Sequence, residues 1–141
     1  MFSIKRIKQL SVFLENKEGA TAQVFNILKD AGISVSGASL SDTADYALMR
    51  MLVSDSQKAQ QVLFANGINC VESVVIGYKL DSLEEVTVVL NELARKKFSI
   101  NYMYITSLGS GNAHYMVFRL SETDKFFEQA ARAEIVVEDF N

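Results

Sequence analysis

Phe13-Leu14-Glu15-Asn16-Lys17-Glu18-Gly19-Ala20-Thr21 decides how the rest of this chain is read. Before it, Leu10, Val12 and Leu14 alternate with Gln9, Ser11 and Phe13, the period of a half-buried strand running from about Ile7 to Leu14. After it, Val24, Phe25, Leu28 and Ala31 fall at helical spacing and Gly32 stands where a left-handed C-terminal residue belongs. The stretch is therefore a strand-to-helix corner turning on Gly19. The N–H groups around Ala20 and Thr21 open a helix, where backbone donors lack partners and anions are favoured. Read alone, the stretch fits an ordinary β-to-α turn as well as a carboxylate-binding corner.

Working outward, Ile33 to Leu40 reads as a second strand rich in small residues (Ser34, Ser36, Gly37, Ala38, Ser39). Asp42 to Asp45 is a turn, and Tyr46 to Val53 is a third strand apolar on both faces, the mark of a central, doubly covered strand. Asp55 or Ser54 caps a helix from Ser56 to Ala65 with Ala59, Val62 and Leu63 inward, ended by Asn66-Gly67. Ile68 to Val74 closes a β-α-β-β-α-β unit.

The order then repeats. Asn26-Ile27-Leu28 aligns with Asn91-Glu92-Leu93, and Ile33-Ser34-Val35 with Phe98-Ser99-Ile100. After a longer turn containing Gly109-Ser110-Gly111, Tyr46 aligns with His114, Leu48 with Met116 and Leu52 with Leu120. Val74 to Leu80 serves as the first strand of the second unit, giving domains at 1–73 and 74–141. Its corner, Leu80 to Glu84, has no glycine.

Composition narrows the function classes. The 141 residues are 49% hydrophobic, enough for a real core, with a formal net charge of −3 and a pI near 5.2. Neither nucleic acid nor an anionic membrane selects such a surface. Lys5, Arg6 and Lys8 read as a solvated strand edge that discourages foreign strands. No apolar run approaches the ~20 residues of a membrane span, and the start lacks a secretory pattern, so a cytoplasmic location is expected. Cys70, the sole cysteine, reads as a small core residue. His114, the sole histidine, has no partner at triad or metal spacing. Arg50 and Arg119, in otherwise apolar third strands, read as paired structural charges. Asp42, Asp45, Glu84 and Glu85 lie in turns or at a helix start, where carboxylates are ordinary. His114-Tyr115-Met116-Val117-Phe118 imitates the aromatic third strand of RNA-recognition motifs, but without its Lys/Arg-Gly start, and the first unit offers Leu48 and Arg50 at the stacking positions. No nucleophile or poised acid and base assemble, so the chain is not expected to be an enzyme.

In Lys8 to Asn16 with Gly19, Ala31-Gly32-Ile33, Asp42-Thr43 with Asp45 and Arg50, and Ile100 to Tyr104, the chain resembles the small proteins built of two ACT domains, modules that bind amino acids. It departs from them in carrying Glu18 where proline is usual, and in the glycine-free second corner. The resemblance implies an α+β fold of two ferredoxin-like units side by side, with a joined antiparallel sheet and helices on one face. It implies a free amino acid as effector, no cofactor, and a seam site formed by Asn16, Lys17, Glu18, Gly19, Ala20 and Thr21 opposite Asn101, Met103, Tyr104 and Ile105. The chemistry suits a zwitterion: helix N–H groups for its carboxylate, carbonyl or Asn16 oxygens for its ammonium. Ser34, Ser36 and Ser39, or Tyr102, Met103 and Tyr104, would set the side-chain pocket, although sheet packing accounts equally for the tyrosines. The expected role is regulatory, signalling to a separate protein partner. The alternative is a structural interaction module of the same fold that binds no ligand. The doubly apolar third strands suggest a homodimer.

Overall fold

A computed structural model describes residues 3–43, 45–108 and 113–141 of the chain. The elements are β1 (Ile4–Leu14), α1 (Ala20–Asp30), β2 (Val35–Asp42), β3 (Ala47–Val53), α2 (Ser56–Ala65), β4 (Cys70–Leu80), α3 (Glu85–Arg95), β5 (Ile100–Ser107), β6 (His114–Leu120), α4 (Thr123–Arg132) and β7 (Val137–Asp139). The βαββαβ order occurs twice, as the repeat predicts. The turn at Gly109 to Gly111, and Ala44 in the first hairpin, lie outside the described residues.

Compactness divides the chain into an N-terminal unit, Lys8–Ser73 with Asn141, and a C-terminal unit, Met1–Ile7 with Val74–Phe140. Relative to halves cut at 73/74, the first seven residues and the last one change sides. β1 and β4 are each one continuous strand of 11 residues that contributes to both units. β4 therefore replaces the two strands expected at Ile68 to Val74 and Val74 to Leu80.

In the N-terminal unit the strands lie in the order β2-β3-β1-β4. Leu10 sits opposite Met51 and Val12 opposite Met49, so alternate residues of both strands share one face, which α1 and α2 cover with Val24, Leu28, Ala59 and Leu63. Ala20 completes the buried stripe of α1; Phe25, expected inward, is 39% exposed, because it lies a sixth of a turn or more off the Ala20-Val24-Leu28 line. Asp55 caps α2 as expected, accepting from the Lys58 amide at 3.0 Å. Asn141 belongs here: it accepts from the Lys8 amide at 2.8 Å and donates to the carbonyls of Lys8 and Val53 at 2.9 and 3.0 Å.

The C-terminal unit departs from the simple ferredoxin-like order. Its strands run β5-β6-β4-β1-β7, with the N-terminal end of β1 beside β4, where the closing strand of the unit would otherwise lie. The Lys79 amide donates to the Ser3 carbonyl at 3.0 Å, and β7 pairs with β1 in parallel, Ile4 opposite Val137 and Arg6 opposite Asp139. Lys5 and Arg6 are thus inside a ladder and paired with Glu138 at 3.4 Å and Asp139 at 3.5 Å, rather than forming a bare basic edge. Ile4 joins a core of Ile76, Leu80, Leu93, Met116 and Phe118.

Both third strands are central and buried on both faces: Met51 with Leu52 in β3, Met116 with Val117 in β6. One chain covers these residues by itself. They accordingly give no ground for a second copy, which was the basis for expecting a homodimer.

The helix ends distinguish the repeats. Gly32 (φ 74°) and Gly67 (φ 75°) occupy left-handed positions after α1 and α2, whereas Lys97 (φ 62°) and Glu134 (φ 59°) hold the same positions after α3 and α4. All four are followed by the same hydrogen-bonded closure, as in Ile33 to Leu28 and Phe98 to Leu93, both 2.9 Å. A side chain in that conformation is strained. Lys97→Gly and Glu134→Gly are each expected to raise stability by about 0.5–1 kcal/mol; urea midpoints that stay the same or fall would contradict this.

Candidate functional site

The first corner is built by β1 running out at Leu14 and the chain turning within five residues. The Lys17 amide donates to the Glu15 carbonyl at 2.9 Å, and the exposed Lys17 ammonium lies 3.1 Å from the Glu15 carboxylate. Asn16 Nδ2 donates to the Thr43 carbonyl at 3.3 Å, tying the corner to the β2–β3 hairpin. Thr43 in turn holds Tyr46, its hydroxyl donating to the Tyr46 carbonyl at 2.8 Å, and the Tyr46 ring packs 5.8 Å from that of Phe13.

Gly19 is the residue that starts α1, at φ 81° and ψ −6°, a left-handed conformation open to glycine at no steric cost. Its carbonyl accepts from the Gln23 amide at 2.9 Å. No side chain caps the helix, no acidic residue lies in its first turn, and the Ala20 amide reaches the Lys17 carbonyl only at 3.4 Å. The partial positive charge of the helix start is therefore not compensated by a carboxylate within the first turn of α1. The Ala20 side chain is buried, so this residue offers a ligand its N–H alone, while Lys17 and Glu18 are exposed and Thr21 is half-buried.

The second corner is chemically different. Glu84 starts α3 in the right-handed helical region (φ −66°), and the amides of Glu85, Val86 and Thr87 donate to the carbonyls of Ser82, Leu83 and Glu84 at 3.1–3.2 Å. The Glu85 carboxylate accepts from the Asp81 amide at 3.1 Å. Backbone carbonyls thus take the first amides of α3, the donors that an anion at this helix start would need. Sequence reading treats Glu85 as an ordinary acid at a helix start; in the structure its carboxylate closes back on the Asp81 amide, and the two corners differ in backbone conformation and in the bonds made by their first amides.

The four expected residues of the second unit lie on β5, which pairs only with β6 in the described sheet and is its edge. They do not share a face. Met103 lies opposite Phe118 and Ile105 opposite Met116, on the core side, and Met103 packs against that core, while Tyr104 lies opposite Val117 on the other side. Asn101 is the extra residue of a bulge between Ile100 and Tyr102, the same irregularity that Ser36 makes between Val35 and Gly37 in β2. Its side-chain oxygen accepts from the Ser121 hydroxyl at 2.9 Å, a bond that does not use the amide NH2. The structure gathers the corner set within one unit and the β5 set within the other.

Elsewhere the chemistry is sparse. Cys70 is half-buried, and that burial pushes its thiol pKa up, opposite to the activation a nucleophile needs. His114 is exposed at the start of β6. Among the described residues no three or more His, Cys, Asp or Glu side chains gather as a metal site, and no helix is long and apolar enough to cross a membrane.

Comparison with known proteins sets this geometry in context. The sequence model of a family described as an ACT domain pair matches residues 5–139. The solved structure of protein BT0572 from Bacteroides thetaiotaomicron is 30% identical, covers 94% of this chain and 91% of its own, and superposes with a TM-score of 0.80. The ligand-free regulatory subunit of aspartate kinase from Thermus thermophilus is 15% identical over 94% of this chain and 97% of its own, with a TM-score of 0.62. Its counterpart from Thermus flavus gives 17%, 94%, 93% and 0.60. At such identities these two share the fold. No curated protein sequence matches the chain.

Proposed function

The chain belongs to the family of ACT domain pairs, and from that premise we propose that it is a regulatory protein that binds a free amino acid at the corner Asn16 to Thr21 and signals its presence to a separate protein. The observation that carries the reading is the uncapped start of α1 at Gly19, set against the start of α3, where backbone carbonyls already engage the first three amides. The ligand carboxylate takes the N–H groups of Ala20 and Thr21. Its ammonium takes Asn16 Oδ1, since the Asn16–Thr43 bond uses the amide NH2 alone. On β5, Asn101, Met103, Tyr104 and Ile105 remain a proposed second set, with Asn101 now assigned as a donor and Met103 confined to its backbone. A ligand favouring one conformation shifts the population toward it, and a partner that reads that conformation is switched.

Calorimetric titration with each of the common amino acids tests this. One or a few should bind saturably, and at a hundredfold excess over Kd should stabilise the fold by about 2.7 kcal/mol. No heat and no thermal shift with any of them would leave the alternative, a structural module of the same fold, which the core packing of Met103 favours.

A further inference from the structure

The two units differ most between their helices. α1 packs directly on α2, whereas residues of α3 and α4 line a common cavity. With the left-handed helix-end residues as markers, Gly32 matching Lys97 and Gly67 matching Glu134, the cause can be read residue by residue. Ile27 and Ala31, which pack against the first core, correspond to Glu92 and Lys96; Val62 corresponds to Gln129, and the fully buried Leu63 to Ala130. Charged ridges do not interdigitate as Ile, Ala and Val do, and exchanging leucine for alanine removes volume from the contact.

The result is a groove of about 430 Å³ in the C-terminal unit. It is lined by Ile4, Tyr78, Leu93 and Phe126, together with Val88 of α3 and Ala130 of α4. Phe126 is braced edge-on by Phe98, Phe118 and Phe127, each with ring centroids 5.9 Å away, which holds it in the lining. At the mouth, Glu92 accepts from Arg95 and lies 3.6 Å from Lys96. The Arg95 hydrogen bond holds the Glu92 carboxyl below its ordinary range, so this rim is ionised and hydrated.

That rim selects the occupant. A protein segment laid across the groove would have to strip water from Glu92, Arg95 and Lys96, at a cost that their mutual attraction does not reliably offset. A small molecule seated below the rim leaves those charges in water and meets aromatic and aliphatic carbon, with Tyr78 and Gln129 in the same lining. The volume falls in the range of small-molecule sites. We propose that the α3–α4 groove is a binding site, separate from the amino-acid corner, for an uncharged planar aromatic compound of about nine to fifteen non-hydrogen atoms.

Indole is a suitable probe, added to the full chain carrying 13C-labelled Ile, Leu and Val methyls. Saturable shifts are expected at Val88, Val89, Leu93 and Ile135, with none at Val24, Leu28 and Val62 of the closed counterpart. Ala130→Leu restores the residue of the first repeat and should weaken binding at least tenfold without lowering the melting temperature. Should that variant not fold, Ala133→Leu, at the groove margin, serves the same purpose. Shifts that are linear in indole, equal in both repeats, set by protein concentration instead of indole, or unchanged in a folded filling variant would each overturn the proposal.

Discussion

Gly19→Val is expected to weaken amino-acid binding at least tenfold, a loss of about 1.4 kcal/mol or more, while the chain stays folded. A side-chain carbon built at Gly19 meets nothing within 4 Å, so the substitution does not act through a clash. It acts through the backbone. At φ 81° a β-branched residue is a genuine outlier, and left-handed geometry costs about 1–2 kcal/mol. The corner relieves that strain by rotating, which turns the Ala20 and Thr21 N–H groups away from a ligand. Asparagine tolerates this conformation better than other non-glycine residues, so Gly19→Asn should retain most of the affinity that Gly19→Val loses. The matched control is Leu83→Ala at the second corner. Leu83 is 61% exposed, so its removal should leave affinity unchanged and stability within about 0.5 kcal/mol. Titration calorimetry with parallel thermal melts decides the matter; equal losses at Gly19 and Leu83 in folded proteins would remove the asymmetry between the corners.

What could be read in advance was whatever local chemistry dictates. The cap at Asp55, the bounds of α2 and the stops at Gly32 and Gly67 depend on residues within one turn of themselves, and they lie where the pattern puts them. Gly19 was legible for the same reason. The start of β1 was not: Ile4 and Ile7 are both buried, but their odd spacing puts them on opposite faces and breaks the alternation that marks a strand. Only their neighbours β4 and β7, some seventy and more than a hundred residues away in the chain, make sense of them. The middle of β4 failed for a different reason: the repeat calls for a closing strand and an opening strand there, and one continuous strand from Cys70 to Leu80 serves as both. At the site, the assignment of Met103 to the core depends on its register against Phe118, which no local pattern specifies.

The largest effect on stability should come from cutting the chain at the boundary the repeat suggests. A fragment of residues 74–141 keeps the β-α-β-β-α-β order yet is expected not to fold alone. It lacks Ile4, 3% exposed within the core of Phe118 and Leu120, and Ile7, which is fully buried. Burying each such side chain contributes about 1.5–3 kcal/mol, so together they amount to a large share of the 5–15 kcal/mol that typically holds a domain together. The loss extends beyond carbon: β4 gives up the ladder that includes the Lys79 to Ser3 bond, and β7, three residues long, gives up the strand it pairs with. A core of this size has little reserve to absorb both. Circular dichroism and amide NMR of the fragment should show no cooperative melt and poor dispersion, and a synthetic peptide of residues 1–9 added in trans should restore both. The same peptide carrying Ile4→Asn and Ile7→Asn should not. A fragment that melts cooperatively without any peptide would mean that β7 can move beside β4 and close the unit as the simple ferredoxin-like order requires, leaving the start of β1 as an addition to a self-sufficient domain.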